Sequence, residues 1–256
     1  MSDKELDTKK PQELGQVQMN KVDLEEMYGG IEQEDVTIPR IVILQGLSPE
    51  VTEGRGAPGE FYIKGLERKL GKGPHEIVVL MRNKSRIRWQ DLNAGGGILC
   101  RSTDCKVGVG DPGGNCQVCP LAEWAGPDKP SCDLYQNLIV VLRKDDDWFP
   151  LALSGNRTKL KALKNFNSLL MVELAKGRPL FSKSYSLESV DKTSSKGMRY
   201  FSYRVSPANN NLPIPNEEQQ KAYSIYGSLK GKKIEIIQDQ ERDVEEPTAA
   251  APSKDY

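Results

Sequence analysis

Residues 76–89 read EIVVLMRNKSRIRW. An apolar run leads into Arg82, Lys84, Arg86 and Arg88, which alternate without a break. The β-branched, alternating composition argues for one long strand or two short ones in series. In a strand these four cations share one face at intervals of about 6.6–6.8 Å. That interval is close to the phosphate repeat of an extended single strand. The opposite face carries Asn83, Ser85, Ile87 and Trp89. Four like charges in a row repel each other unless a polyanion meets them. The plain alternative is a basic sheet surface turned to solvent.

Strand signals flank this stretch on both sides. Residues 38–44 (IPRIVIL), 60–65 (EFYIKG) and 134–143 (LYQNLIVVLR) read as strands. Residues 148–153 (WFPLAL) pair back on the last of these across a turn at Asp145, Asp146 and Asp147. Residues 48–59, 69–74 and 91–97 read as loops rich in Gly, Pro and charge. From 156 to 176 the period changes to helical, with Leu160, Leu163, Phe166, Leu170 and Leu174 on one stripe. Ser154 is placed to cap this helix and Gly177 to end it. Residues 181–190 and 198–205 alternate around DKTSSKG and read as a second hairpin. Residues 207–216 are an Asn/Pro-rich loop, 217–227 a short helix, and 232–237 (KKIEII) a closing strand. Seven or eight strands with one long helix among them predict a mainly β fold. An OB-fold-like antiparallel barrel is the leading expectation and a sandwich the alternative.

The charge is segregated along the chain. The 256 residues hold 36 Lys+Arg and 36 Asp+Glu. Residues 1–36 carry ten acids and four bases, and residues 238–256 six acids and two bases. The body, 37–237, is left with a net charge of +10 between two acidic arms. Both arms are polar and low in aromatics, so they are expected to be disordered. The body is expected to fold as the binding domain. Mean hydropathy is −0.57, and no apolar run approaches the roughly 20 residues of a membrane span. The opening residues MSDKELDTKK lack the apolar core of a signal peptide. A reducing cytoplasm, the host's if the chain is phage-encoded, is the expected setting.

Five cysteines in such a compartment point to metal ligands before disulfides. Cys116 and Cys119 form a CxxC knuckle preceded by Gly113 and Gly114. Cys100 closes one strand and Cys132 opens another; antiparallel neighbours would bring both to the knuckle. Cys105 is then spare or replaces Cys100. The segment 100–132 is rich in Gly, Pro and charge and has few core formers, which a tetrahedral structural zinc remedies.

Further cations lie at Arg157, Lys159, Lys161 and Lys164 in the first half of the helix and at Lys192, Lys196 and Arg199 in the second hairpin. Aromatics are interleaved with them. Trp89 is the first candidate to stack a base, with Tyr62 and Tyr200 next. Basic grooves with stacking platforms are how single strands are held without sequence preference. No enzyme signature is found. His75 is the one histidine, and no GxxxxGK[ST] loop, His-x-Glu deaminase motif or carboxylate cluster of metal-ligand spacing occurs. The tail beyond residue 238, with Asp243, Glu245, Glu246, Asp255 and Tyr256, reads as a hook for partner proteins that also shields the basic groove.

On these features the chain resembles bacteriophage-type single-stranded DNA-binding proteins. The resemblance rests on the OB-like body, the insertion stapled through Cys100, Cys116, Cys119 and Cys132, and the acidic tail ending Asp255-Tyr256. It implies a non-enzymatic coat for single-stranded DNA in replication, recombination or repair, with partner proteins of those processes recruited through the tail. Self-association is compatible with such a role, and the sequence leaves the oligomeric state open. The competing expectation is a zinc-ribbon adaptor or transcription regulator that binds a protein, with RNA or duplex DNA on the basic face.

Overall fold

In the computed structural model, which describes residues 37–236 apart from 92–93, 127–128, 145–147, 195–196 and 233, the stretch around 76–89 is one 15-residue strand. The acidic arms, Lys196 and the triple-aspartate turn therefore lie outside the described residues.

Eleven strands form among the described residues. The first half of the chain holds β1 (Arg40–Ile43), β2 (Phe61–Lys64), β3 (Arg68–Gly71), β4 (His75–Trp89) and β5 (Ile98–Ser102). Then come β6 (Val107–Gly110), β7 (Gly114–Asn115), β8 (Cys132–Leu142), β9 (Leu151–Gly155), β10 (Ser184–Thr193) and β11 (Arg199–Pro207). Three α-helices accompany them: α1 (Pro49–Thr52), α2 (Arg157–Ala175) and α3 (Asn216–Leu229). No helix among the described residues is long and apolar enough to cross a membrane.

The mainly β expectation holds, but the antiparallel barrel does not. The sheet is open and mixed, in the order β3-β2-β1-β9-β8-β4-β5-β6-β7, with β1 and β9 parallel. The physical reason is the length of β4. One edge pairs with β8 from Ile77 to Arg88. The other edge serves two strands, β10 over His75–Val78 and β5 over Arg86–Trp89. The sheet branches there instead of closing. The nearest approach to closure is made by one side chain. Gln45 Oε1 accepts from the Phe201 N–H at 2.9 Å, and its Nε2 donates to the Phe201 carbonyl at 2.9 Å. Gly59 beside this contact has φ +84°, and a Cβ there would fall 2.6 Å from the Phe201 ring. Glycine is required on both counts.

Both faces of the sheet are buried at its central strands. On one, Ile41, Phe61, Ile77, Val79, Leu138 and Leu153 pack against Leu163, Phe166 and Leu170 of α2 and against Tyr185 and Tyr203. On the other, Val78, Leu80, Ile139 and Val141 pack against Ala222 of α3 and against Ile214, Ile234 and Ile236. This explains why β8 has a nearly continuous apolar run. A third small cluster joins Val42, Leu44 and Tyr62 under Val51 of α1.

Other expectations shift locally. The loop expected at 69–74 contains β3, paired with β2 through a bulge. The loop at 48–59 contains α1. Of the closing strand expected at 232–237, the described residues make one parallel bridge, between Ile38 and Ile236. Ser154 does not cap α2. It lies in β9 opposite Asn137, and Asn156 takes the cap position. Leu174 leaves the helix stripe and is exposed, while Glu173 turns inward to meet Lys183, Lys176 and Arg178.

Candidate nucleic-acid face and cysteine cluster

Register against β8 slips between Val79 and Met81, leaving Leu80 as a bulge. Leu80 and Met81 consequently both face the α3 side. After the slip, Arg82 stands opposite Leu138, Lys84 opposite Gln136 and Arg86 opposite Leu134. The basic residues thus continue the Ile77/Val79 face, the face on which α2 lies. A bulge re-aims every side chain beyond it, and here it turns a core strand into a basic one.

The four cations then divide into two pairs. Arg82 and Lys84 are exposed. Arg86 and Arg88 are half-buried under the cysteine insertion. Arg86 Nη1 donates to the Ala122 carbonyl at 3.3 Å. Arg88 Nη1 donates to the carbonyl and to Oδ2 of Asp111, both at 3.1 Å. Both arginines hold the insertion to the sheet, unlike the exposed pair Arg82 and Lys84.

Helix α2 borders the exposed pair. Arg157 ties its start to both carboxylate oxygens of Asp133 at 3.0 Å. Asn167 Nδ2 donates to Gln136 Oε1 at 2.7 Å, and Gln136 is the cross-strand partner of Lys84. Lys161 and Lys164 lie between these two anchors and are exposed. Lys159 is 7 % exposed, so it belongs to the interior and not to the groove. Its Cβ leans on Gly155, where β9 passes into the helix.

The stacking candidates fare worse. Tyr62 is 2 % exposed under α1, its hydroxyl donating to Glu67 at 2.9 Å and accepting from Arg55 at 3.1 Å. Trp89 is half-buried, and its indole N–H donates to the Tyr135 hydroxyl at 3.1 Å on the face away from the cations. Tyr200 and Lys192 form a cross-strand pair near the tip of the β10–β11 hairpin, where Arg199 is ion-paired with Asp191. That tip extends past His75, while Lys84 lies nine residues along β4, roughly 30 Å away. The hairpin cations are not part of the same face.

Trp124 was missed by the sequence reasoning. It is 70 % exposed, and a tryptophan in a Gly/Pro-rich segment with no core to bury it was the available signal.

Four of the five cysteines share one small cavity. Cys100, Cys116, Cys119 and Cys132 line it together with Arg86, Arg88, Leu121 and Ala122. Cys100 and Cys132 are not on neighbouring strands, as the sequence suggested: both stand opposite Arg88, one on each side of β4. The β5–β6–β7 meander brings the knuckle back over them. Gly108 makes room, because a Cβ there would lie 2.9 Å from Cys100 Sγ and 3.5 Å from Cys116 Sγ. Cys105 is not among the cavity residues. Burial pushes the Cys132 thiol up to about 11, against the pull of the adjacent Arg86 guanidinium. Burial likewise raises Cys105. The donor set suits a thiophilic divalent ion in kind and number: four sulfurs, with two guanidiniums to offset the charge of a zinc tetrathiolate. Among the described residues, however, no three His, Cys, Asp or Glu side chains converge as a metal cluster.

Comparison with known proteins gives one positive finding. A family model described as Pam3 phage gp34-like protein matches residues 12–235. No curated protein and no solved structure matches the chain.

Proposed function

The chain belongs to the Pam3 phage gp34-like protein family, and from there we propose that it is a non-enzymatic single-stranded DNA-binding protein of phage replication, recombination or repair. The observation that supports this most is the placement of four exposed cations. Arg82 and Lys84 lie on the sheet between α2, with Lys161 and Lys164, and the cysteine insertion, which covers Arg86 and Arg88. A flexible single strand can follow such a strip, its phosphates neutralised by the cations with release of counterions. Cys100, Cys116, Cys119 and Cys132 hold a structural zinc in this reading, Cys105 remaining outside. The ion would fix the insertion as one wall of the groove. The acidic tail recruits partners and competes with DNA for the cations.

The test is titration of the purified full chain with oligo-dT and with duplex of the same length, at several salt concentrations. Salt-sensitive binding that favours the single strand supports the proposal. Absence of binding at low salt rejects it. A protein-binding adaptor is the second reading, favoured by Val107, Val109 and Val118 of the insertion, which are 63 %, 75 % and 74 % exposed.

A further inference from the structure

A single strand held only by lysine and arginine has its bases unsupported, and of the three aromatics expected to carry them, Tyr62 and Trp89 are turned away and Tyr200 lies at the distant hairpin tip. Among the described residues, Trp124 is an exposed aromatic on the insertion that Arg86 and Arg88 fasten beside the cations. It lies two residues beyond Ala122, whose carbonyl is held by Arg86 at 3.3 Å. Two residues of chain span at most about 7 Å. The exposed Lys84 is the next same-face cation along β4, about 6.6–6.8 Å beyond Arg86. Indole and ammonium therefore stand within a few nucleotides of each other along an extended strand.

A packing role does not explain this tryptophan. None of the three apolar clusters contains a residue of segment 101–131. Its neighbour Glu123 is exposed as well, so this point on the surface repels phosphate and suits an uncharged ring. We infer that Trp124 is the stacking platform of the groove, taking a nucleobase of a strand whose phosphates lie on Arg82 and Lys84. The cysteine insertion then contributes a contact of its own in addition to walling the groove. This rests on the single-strand reading above and names the residue that receives the base.

The experiment compares the full chain with Trp124→Ala and Trp124→Phe, each titrated with oligo-dT by fluorescence anisotropy at several salt concentrations. Loss of one stacked base weakens binding by about 5- to 150-fold. The salt slope stays unchanged, because no phosphate contact is removed. Trp124→Phe restores most of the affinity. Because the side chain is 70 % exposed, neither variant should shift the thermal midpoint, which serves as the folding control. Equal affinity of Trp124→Ala and the parent overturns the inference while leaving the single-strand reading intact. So does a loss that phenylalanine fails to restore. A parent chain that does not bind oligo-dT at low salt removes both, and directs the exposed insertion surface to a protein partner.

Discussion

The guanidinium of Arg86 is bound to the carbonyl of Ala122, so a residue that reads as a phosphate contact is occupied in fastening one part of the chain to another. Arg88 does the same through Asp111. The unbroken alternation of four cations therefore serves two ends. The pair nearer the bulge at Leu80 is open to solvent, and the pair beyond it is half-buried against the insertion.

Charge reversal should separate the two pairs. Arg82→Glu with Lys84→Glu is expected to weaken oligo-dT binding and to lower the salt slope by about 1.4, at about 0.7 per single-strand phosphate contact. Arg86→Ala with Arg88→Ala is expected to lower the thermal midpoint and expose the insertion to protease. Binding isotherms at several salt concentrations and limited proteolysis read the two effects. An unchanged slope in the first variant removes Arg82 and Lys84 from the interface.

The Gln45 bridge is open to a stability measurement. Its amide meets both backbone groups of Phe201 at 2.9 Å, replacing the ladder that a closed sheet would have made. Gln45→Ala removes two hydrogen bonds of about 0.5–1.5 kcal/mol each. Urea unfolding should therefore show a loss of about 1–3 kcal/mol. Gln45→Glu keeps the acceptor but sets a carboxylate oxygen against the Phe201 carbonyl, and should be at least as destabilising. A Gln45→Ala protein as stable as the parent would mean that the β1 and β11 ends are held by packing alone.

What the sequence disclosed follows from which signals are local. Residues 76–89 of β4 were legible, as one strand or two in series, because alternation and β-branching are written into the strand itself. Helix α2 was legible because Leu163, Phe166 and Leu170 keep the helical period against the core. The bulge at Leu80 was not, since a register slip depends on the partner strand and leaves no residue signature. Tyr62 read as exposed because the Gly- and Pro-rich stretch 48–59 reads as a loop, which masks the helix start at Ser48, Pro49 and Glu50; α1 there places Val51 against its cluster. The four cavity cysteines were legible from their spacing and chemistry. Their route together was not, because the sharing of one long strand by β5 and β8 is a property of the branched sheet.

The inward-turned end of α2 makes stability depend on acid. Glu173 is buried beside Lys183, with Nζ–Oε1 3.1 Å, and also meets Lys176 and Arg178. Burial alone would raise this carboxyl. The three cations outweigh that and hold it down to about 2. A carboxyl depressed in the folded state stabilises fully above its ordinary value of about 4.3. That contribution fades as pH falls from there through 2. Glu173→Gln should accordingly destabilise the protein at pH 7 by about 3–5 kcal/mol, the cost of leaving a buried cation without its counter-charge. The penalty should narrow as the parent is acidified towards pH 2. Denaturant unfolding of both proteins between pH 7 and pH 3 measures it, and a difference independent of pH would remove Glu173 as the acid-sensitive group.

The cysteine cavity yields the sharpest stoichiometric expectation. Four thiols face one cavity from two strands and a knuckle, with Cys105 outside. In the proposed arrangement the purified chain carries one zinc, released when the thiols are blocked with a mercurial. Cys116→Ser with Cys119→Ser should abolish that zinc and lower the thermal midpoint, since the meander between Cys100 and Cys132 has no apolar cluster to hold it. Cys105→Ser should leave the zinc content unchanged. A metal-free parent whose midpoint is unaffected by chelator would show that the insertion is held by Arg86, Arg88 and backbone pairing alone. Retention of zinc in the double variant would place the ion elsewhere in the chain.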